Sequence, residues 1–203
     1  MSKKFLTLLI VVFCISVVSF SSQARDKYII EEPVYLKVNI HYIEYRRVNK
    51  ACYLNWTDPG KGHKVLPFNT LVKIIKWKKG FKIIDEKNNL EIFFEYDEPR
   101  MHMPIKEYLN LITSSSEIDI SNLSAKDLKG VKDGKAYTGM TKNGVMIALG
   151  YPATFRTFSL ERNTWIYWTN RHTPLNVKFD QEGLVKDRAE ERLTNHSEYF
   201  DLY

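Results

Sequence analysis

Residues 34–96 carry short runs of β-branched and aromatic residues separated by turn residues, and this pattern constrains the fold more than any other feature. Such runs predict β-strands. The five predicted strands are residues 34–40, 51–56, 71–77, 81–84 and 90–96. Residues 58–62 form a loop by composition, Lys79-Gly80 fits a tight hairpin, and residues 87–89 fit another turn. Five short strands at this spacing most simply form a small barrel or sandwich.

The second half of the chain carries helix signals instead. Residues 104–112 place apolar side chains on one helical face. Ser124 followed by Asp127 is a capping signal for a short helix, and Thr141 can cap another helix that ends at Gly150 and Pro152. Residues 155–158, 164–169 and 175–179 then predict strands, the last by clean alternation of apolar and polar residues. Helices followed by an antiparallel meander predict an α+β layer.

The amino-terminal segment has the features of an export signal. Lys3 and Lys4 precede an apolar core at residues 5–20, and small residues lead to a predicted cleavage site after Ala24. An uncleaved membrane anchor is the alternative, although the run is short for a spanning helix of about 20 residues. The chain is therefore predicted to work in the periplasm or at the inner face of the outer membrane of a bacterium.

The charge of the exported chain favours some partners and disfavours others. The whole sequence has 30 basic and 24 acidic side chains, and removal of Lys3 and Lys4 leaves a net charge of about +4. Such an excess suits contact with anionic lipid or an acidic partner, and it is smaller than nucleic-acid binders usually show. The exported part also has one cysteine, Cys52, so stability has to come from packing rather than from an internal disulfide.

A ten-residue segment in the first half resembles a family pattern. Residues 65–74 read VLPFNTLVKI and are followed by the Gly80 hairpin. This resembles bacterial SH3-like domains, in which an "lP-x-n-T-x-V-x-I" stretch enters the central hairpin. The resemblance covers residues 32–97 and implies an SH3-like β-barrel that serves as a binding module, including for peptidoglycan.

The carboxy-terminal half resembles the BamE (SmpA/OmlA) family of small outer-membrane-assembly lipoproteins. The matching residues are Gly139-Met140-Thr141, Val145, Ala148-Leu149-Gly150 with Pro152, Asn163-Thr164-Trp165-Ile166-Tyr167, residues 175–180 and Gly183-Leu184-Val185. The resemblance implies a two-helix, three-stranded antiparallel-sheet module. The predicted organisation is then a signal peptide (1–24), an SH3-like β-barrel (32–97), a helical linker (98–123), a BamE-like α+β module (124–188) and a tail (189–203).

Two sets of side chains are candidate binding sites. The basic and aromatic residues of the predicted hairpin suit anionic lipid headgroups or an acidic polymer, although lysines also protect solvated strand edges from pairing. This set is Lys73, Lys76, Trp77, Lys78, Lys79 and Lys82. The second set is a candidate face for a protein partner, with burial in the core as the alternative. This set is Tyr151, Phe155, Phe158 and Trp168.

The sequence carries none of the local motifs that mark a catalytic centre. A nucleophile elbow, a zinc helix and a phosphate-binding glycine loop are all missing. Cys52 with His41 or His63 can form a thiol–imidazole pair only through the fold, and Met101-His102-Met103 is a weak copper motif. We therefore expect no enzyme activity, no cofactor and no metal.

Together these features predict a non-catalytic periplasmic binding protein of the bacterial envelope. Its expected role is to assist outer-membrane protein assembly or envelope integrity, with the assembly machinery as a partner and contact to anionic lipid or peptidoglycan. An SH3-like cell-wall or ligand-binding protein is the alternative, followed by an envelope hydrolase that uses Cys52. Nucleic acid is not an expected partner.

Overall fold

The computed structural model describes residues 28–190 of the chain. The predicted signal peptide and residues 191–203 of the predicted tail lie outside this part. Within it, the chain forms two β-sheets and four helices.

The larger sheet has eight strands and curls into a half-barrel. The strands are β1 (Tyr28–Leu36), β2 (Ile40–Tyr45), β3 (Val48–Cys52), β4 (His63–Leu66), β5 (Leu71–Trp77), β6 (Gly80–Asp85), β7 (Leu90–Glu95) and β8 (Thr113–Ser114). Their order across the sheet is β4-β2-β3-β7-β6-β5-β1-β8. Strand β3 pairs with β7 in parallel, whereas the other neighbours are antiparallel.

The helices and the smaller sheet follow. The helices are α1 (Glu98–Met101), α2 (Ile105–Ile112), α3 (Ala125–Asp133) and α4 (Lys142–Leu149). The smaller sheet is an antiparallel meander with the order β11-β10-β9. Its strands are β9 (Thr164–Asn170), β10 (Thr173–Phe179) and β11 (Val185–Glu190).

The capping signals read from the sequence are confirmed. Ser124 and Asp127 form a capping box at the start of α3, and the Thr141 side chain accepts from the Gly144 amide at the start of α4. The buried Asp127 carboxylate also accepts from the Thr141 amide at 2.8 Å. One carboxylate thus holds the beginnings of two helices together.

The predicted fold class, a small SH3-like β-barrel followed by a two-helix, three-stranded module, is wrong. The described residues are mostly β, with about 40% in strands and 18% in helices. The sheet does not close after five strands, because residues 28–33 extend β1 along β5 and residues 113–114 add an eighth strand. That eighth strand comes from the range predicted as a helical linker.

Three strand predictions are wrong, and one hairpin was missed. Residues 51–56 contain only the last two residues of β3, followed by a turn. Residues 34–40 contain the end of β1 and the start of β2, and the break at residues 37–39 has no glycine or proline to mark it. The hairpin between β2 and β3 was missed because its two-residue turn is Arg46-Arg47, whereas Asn-Gly is the usual signal. Residues 155–158, predicted as a strand, form a turn and loop.

Two clusters of buried side chains form the core. The first fills the curled sheet and includes Met101, Tyr108 and Ile112 from the region of α1 and α2. The second lies among α3, α4 and the smaller sheet. Ala153 and Trp168 come from the second half of the chain but pack in the first cluster. The two halves therefore share a core at their boundary.

Buried polar groups of the larger sheet cap the carboxyl end of α4. The backbone amide of Asn39 donates to the Ile147 carbonyl at 2.8 Å, and His41 Nε2 donates to the Ala148 carbonyl at 2.9 Å. The Asn55 side chain adds a hydrogen bond to the carbonyl of Leu149. The last carbonyls of a helix have no partner within the helix. Donors in β2, just before β2 and just after β3 satisfy them here, so α4 ends against the larger sheet.

His41 also contacts a second histidine. Its Nδ1 lies 3.0 Å from Nε2 of His63, with the rings inclined by 9°. Because a carbonyl only accepts, Nε2 of His41 carries the hydrogen that reaches Ala148, and Nδ1 of the neutral ring accepts from His63. Both ring nitrogens of His41 are thus engaged.

Candidate anion-binding face

Trp77 lies at the turn between β5 and β6, where the predicted lysines cluster. It pairs with Gly80 across the hairpin, and Lys78 and Lys79 form the turn between them. Gly80 has φ +147°, and a Cβ at this position would collide with the carbonyl oxygen of Phe94. A glycine is therefore required for the hairpin to pack against β7, and the lysines are held at its tip.

A groove of about 520 Å³ lies on one side of Trp77, and we name it the lysine groove. It is lined by Ile29, Lys76, Trp77, Lys78, Lys79, Gly80, Tyr96, Glu98, Ile105 and Lys106. Four of these residues are lysines, four are apolar or aromatic, and one is acidic. This mixture combines positive charge with a surface that can cover an apolar group.

Most of the positive charge in the lysine groove is not neutralised within the protein. Lys79 pairs with Glu95 at 3.4 Å, whereas Lys76, Lys78 and Lys106 have no ion pair among the side chains that the structure describes, those of residues 29–188. The single acidic side chain, Glu98, accepts a hydrogen bond from the backbone amide of Ile105 at 3.0 Å. The side chains that line the groove therefore carry a net positive charge, with four lysines against one glutamate.

Tyr96 provides a neutral polar group in the same wall. Its hydroxyl donates to the carbonyl of Met103 at 3.0 Å. Burial, together with the negative charges of Glu98 and Glu107, raises the pKa of Tyr96 far above its ordinary value. The phenol consequently stays uncharged and adds no negative charge to the groove.

A smaller depression of about 240 Å³ also borders Trp77. It is lined by Val48, Lys50, Ala51, Trp77, Lys79, Phe93 and Glu95. The rings of Trp77 and Phe93 meet edge to face at 5.3 Å, and Lys82 Nζ lies 4.5 Å from the centre of the Phe93 ring. The two depressions share Trp77 and Lys79, so they form one continuous basic and aromatic face.

The lysines predicted from the sequence divide into two groups. Three are paired with surface carboxylates: Lys73 with Glu86 at 2.7 Å, Lys79 with Glu95, and Lys82 with Glu91 at 2.8 Å. Surface pairs of this kind contribute about 0–1 kcal/mol, so they offer little resistance to an external anion. Lys76 and Lys78 line the groove without an ion pair in the described part of the chain.

Sequence reasoning missed the groove residues that come from elsewhere in the chain. Lys106 and Ile105 begin α2, and Ile29 belongs to β1. The local signal was the predicted helix at residues 104–112, but nothing in the sequence indicated that its first turn lies beside Trp77. The pairing of β1 with β5 and the packing of α2 in the sheet bring these residues together.

The predicted aromatic partner face is mostly part of the core. Trp168 is buried, and Tyr151 and Phe155 pack half-buried against the first core cluster. Phe158 is 70% exposed, with the guanidinium of Arg162 6.0 Å from its ring centre. Of the four predicted residues, Phe158 is the most exposed to a partner.

Cys52 is not arranged as an activated nucleophile. It is buried, and burial raises the pKa of its thiol to about 12. The proposed thiol–imidazole pair with His41 does not form, since both nitrogens of that ring bind other groups. Among the side chains described by the structure, residues 29–188, no cluster of three or more His, Cys, Asp or Glu could hold a metal ion. Met101 is buried in the core whereas His102 is exposed. These two side chains of the weak copper motif therefore do not share one exposed site.

Comparisons with known proteins give no relative for this chain. No family model, no curated protein and no solved structure matches it. Across the described range, none of the helices combines the length and apolar character needed to span a membrane.

Proposed function

We propose that this chain is an exported, non-catalytic binding protein of the bacterial envelope that docks on anionic phospholipid through the lysine groove. The observation that carries the proposal is the set of three lysines without ion pairs, Lys76, Lys78 and Lys106, beside Trp77. The predicted signal peptide supports a location where such lipid surfaces are accessible.

The expected affinity follows from the charges and the aromatic side chain. A lysine near an anionic bilayer contributes about 1 kcal/mol, so three contribute about 3 kcal/mol, or roughly a hundredfold in affinity. Tryptophan prefers the headgroup region of a membrane because its ring is apolar and its N–H is polar. Isoleucine side chains in the groove can cover the glycerol and upper acyl region.

Replacing Lys76, Lys78 and Lys106 by glutamine is expected to weaken binding to anionic vesicles by roughly fiftyfold, because most of the charge attraction is lost. The measurement is co-flotation of residues 25–203 with vesicles of phosphatidylglycerol and phosphatidylcholine. A triple glutamine variant of Lys126, Lys132 and Lys186 removes the same charge from exposed positions on α3 and β11. Equal losses in the two variants would show a general charge effect and contradict the groove.

Peptidoglycan is the main competing envelope ligand. Co-sedimentation with purified sacculi tests it on the same variants. Binding to sacculi that survives the Lys76, Lys78 and Lys106 substitutions, without binding to vesicles, would replace the lipid proposal with a cell-wall role.

A second candidate function is docking on a protein of the outer-membrane assembly machinery. It is supported by the exposed ring of Phe158 and by the resemblance of residues 124–188 to BamE-like lipoproteins. A large exposed aromatic residue is a common anchor in protein interfaces.

Replacing Phe158 by serine is expected to reduce in-cell crosslinking to assembly components at least several-fold, because the anchor side chain is removed. Leu128, which is 43% exposed on α3, provides a matched control when replaced by serine. Crosslinking that is the same in both variants and in the unmodified chain would exclude Phe158 as the contact.

A further inference from the structure

The β2–β3 hairpin ends in an exposed tip of mixed character that the lysine groove does not include. Tyr45 is 55% exposed and Val48 is 37% exposed, and the two residues pair with each other across the turn. They are two of the five large apolar side chains that are exposed among residues 29–188, the range over which side chains are described. Arg46 and Arg47 form the turn between them.

The two arginines add uncompensated positive charge at the tip. The guanidinium of Arg46 lies 5.0 Å from the centre of the Tyr45 ring, and neither arginine has an ion pair in the described structure. The nearby carboxylate of Glu44 is bound to Lys64. The hairpin therefore presents two free cations directly beside an aromatic and an aliphatic side chain.

The backbone at the tip is unfavourable for arginine. Arg46 has φ +50° and Arg47 has φ +64°, the pattern of a type I′ turn. Glycine and asparagine adopt this region readily, whereas other residues do so at a cost of about 1 kcal/mol or more each. Backbone preference therefore does not explain why arginine occupies these two positions. A role for the two guanidinium charges in binding does explain it.

We propose that the Tyr45–Val48 hairpin tip is a second membrane contact, which inserts Tyr45 and Val48 into the headgroup region while Arg46 and Arg47 bind lipid phosphates. The occupant is an anionic phospholipid bilayer, because the tip offers positive charge and apolar surface together. Tyrosine suits this depth since its ring is apolar and its hydroxyl remains hydrated.

The tip is continuous with the face already described. Val48 and Lys50 of β3 line the smaller depression together with Trp77 and Phe93. The hairpin tip and the lysine groove therefore adjoin one depression, which is lined by Val48 of the tip and by Trp77 of the groove. The inference rests on the proposed lipid-binding function and adds a site to it.

The test is the double variant Arg46→Asn, Arg47→Gly, studied in residues 25–203. This pair is the preferred sequence for a type I′ turn, so the hairpin should keep its shape and the melting temperature should not fall. Binding to vesicles of phosphatidylglycerol and phosphatidylcholine is expected to weaken about tenfold or more, from the loss of two cations. The matched control is Lys132→Gln, Lys186→Gln, which removes two charges from exposed positions elsewhere.

A second variant separates insertion from charge. Tyr45→Ser keeps both arginines and is expected to weaken vesicle binding several-fold, because the side chain that enters the headgroup region is lost. Unchanged binding by the Tyr45 variant would reject insertion of this side chain.

The outcomes distinguish the two proposals. If the variant of Lys76, Lys78 and Lys106 loses binding while the Arg46/Arg47 variant binds like the unmodified chain, the hairpin inference is wrong and the groove function stands. If only the Arg46/Arg47 variant loses binding, the hairpin is the membrane contact and the groove proposal fails. Absence of binding by the unmodified chain overturns both.

Discussion

Replacing Asn39 by leucine is expected to lower the free energy of unfolding by about 3 kcal/mol or more. Asn39 is 1% exposed, and its Nδ2 donates to the carbonyls of Val131 at 2.8 Å and Ala148 at 3.3 Å. Its Oδ1 accepts from the amide of Phe68 at 3.0 Å. Leucine has a similar size but leaves these backbone groups buried without this partner, and each such group costs about 1–3 kcal/mol.

Urea denaturation followed by circular dichroism measures this effect. Asn143→Leu is the matched control, because Asn143 is exposed on α4 and the same change there should alter stability by no more than about 0.5 kcal/mol. If the two variants unfold at the same urea concentration, the Asn39 network is not what fastens α3 and α4 to the larger sheet.

Acidification is expected to destabilise the protein through His41 by about 3 kcal/mol between pH 7 and pH 4. Burial lowers the pKa of this imidazole from 6.5 to about 4, and the positive charge of His63 acts in the same direction. The hydrogen bond to Ala148 and the charge of Asp58 oppose the shift without cancelling it.

The direction of the change in stability with pH follows from whether the folded or the unfolded state binds the proton. Below pH 6.5 the unfolded chain takes up a proton at residue 41, whereas the folded chain stays neutral there until about pH 4. The stability contributed by neutral His41 is therefore complete above pH 6.5 and is lost progressively as the pH falls to about 4. Burial and the nearby Lys135 also lower the pKa of His63, which adds to the loss in the same direction.

The variant His41→Gln isolates this contribution. Glutamine can donate to Ala148 and accept from His63, but it does not titrate. The variant should be less stable than the unmodified chain at pH 7, yet its free energy of unfolding should fall by about 2 kcal/mol less between pH 7 and pH 5. The exposed His172 provides the control His172→Gln, which should keep the full pH dependence. An unchanged slope in the His41 variant would refute the assignment.

Local sequence signals determined those elements whose cause is local. Ser124 with Asp127, and Thr141 with Gly150, fixed the starts of two helices and the end of one, because capping depends on residues within a few positions. Lys79-Gly80 indicated the β5–β6 hairpin for the same reason. The position of the lysines beside Trp77 was therefore readable from the chain itself.

Tertiary structure decided the rest. The parallel pairing of β3 with β7, the addition of β8 and the placement of Lys106 beside Trp77 join residues far apart in the sequence. The sequence also carried no sign of the buried roles of Asn39 and His41, because these side chains bond the backbone carbonyls of Val131 and Ala148 in two distant helices. Strand pairing and burial depend on which surfaces meet after the chain collapses. Local propensity does not determine these long-range contacts.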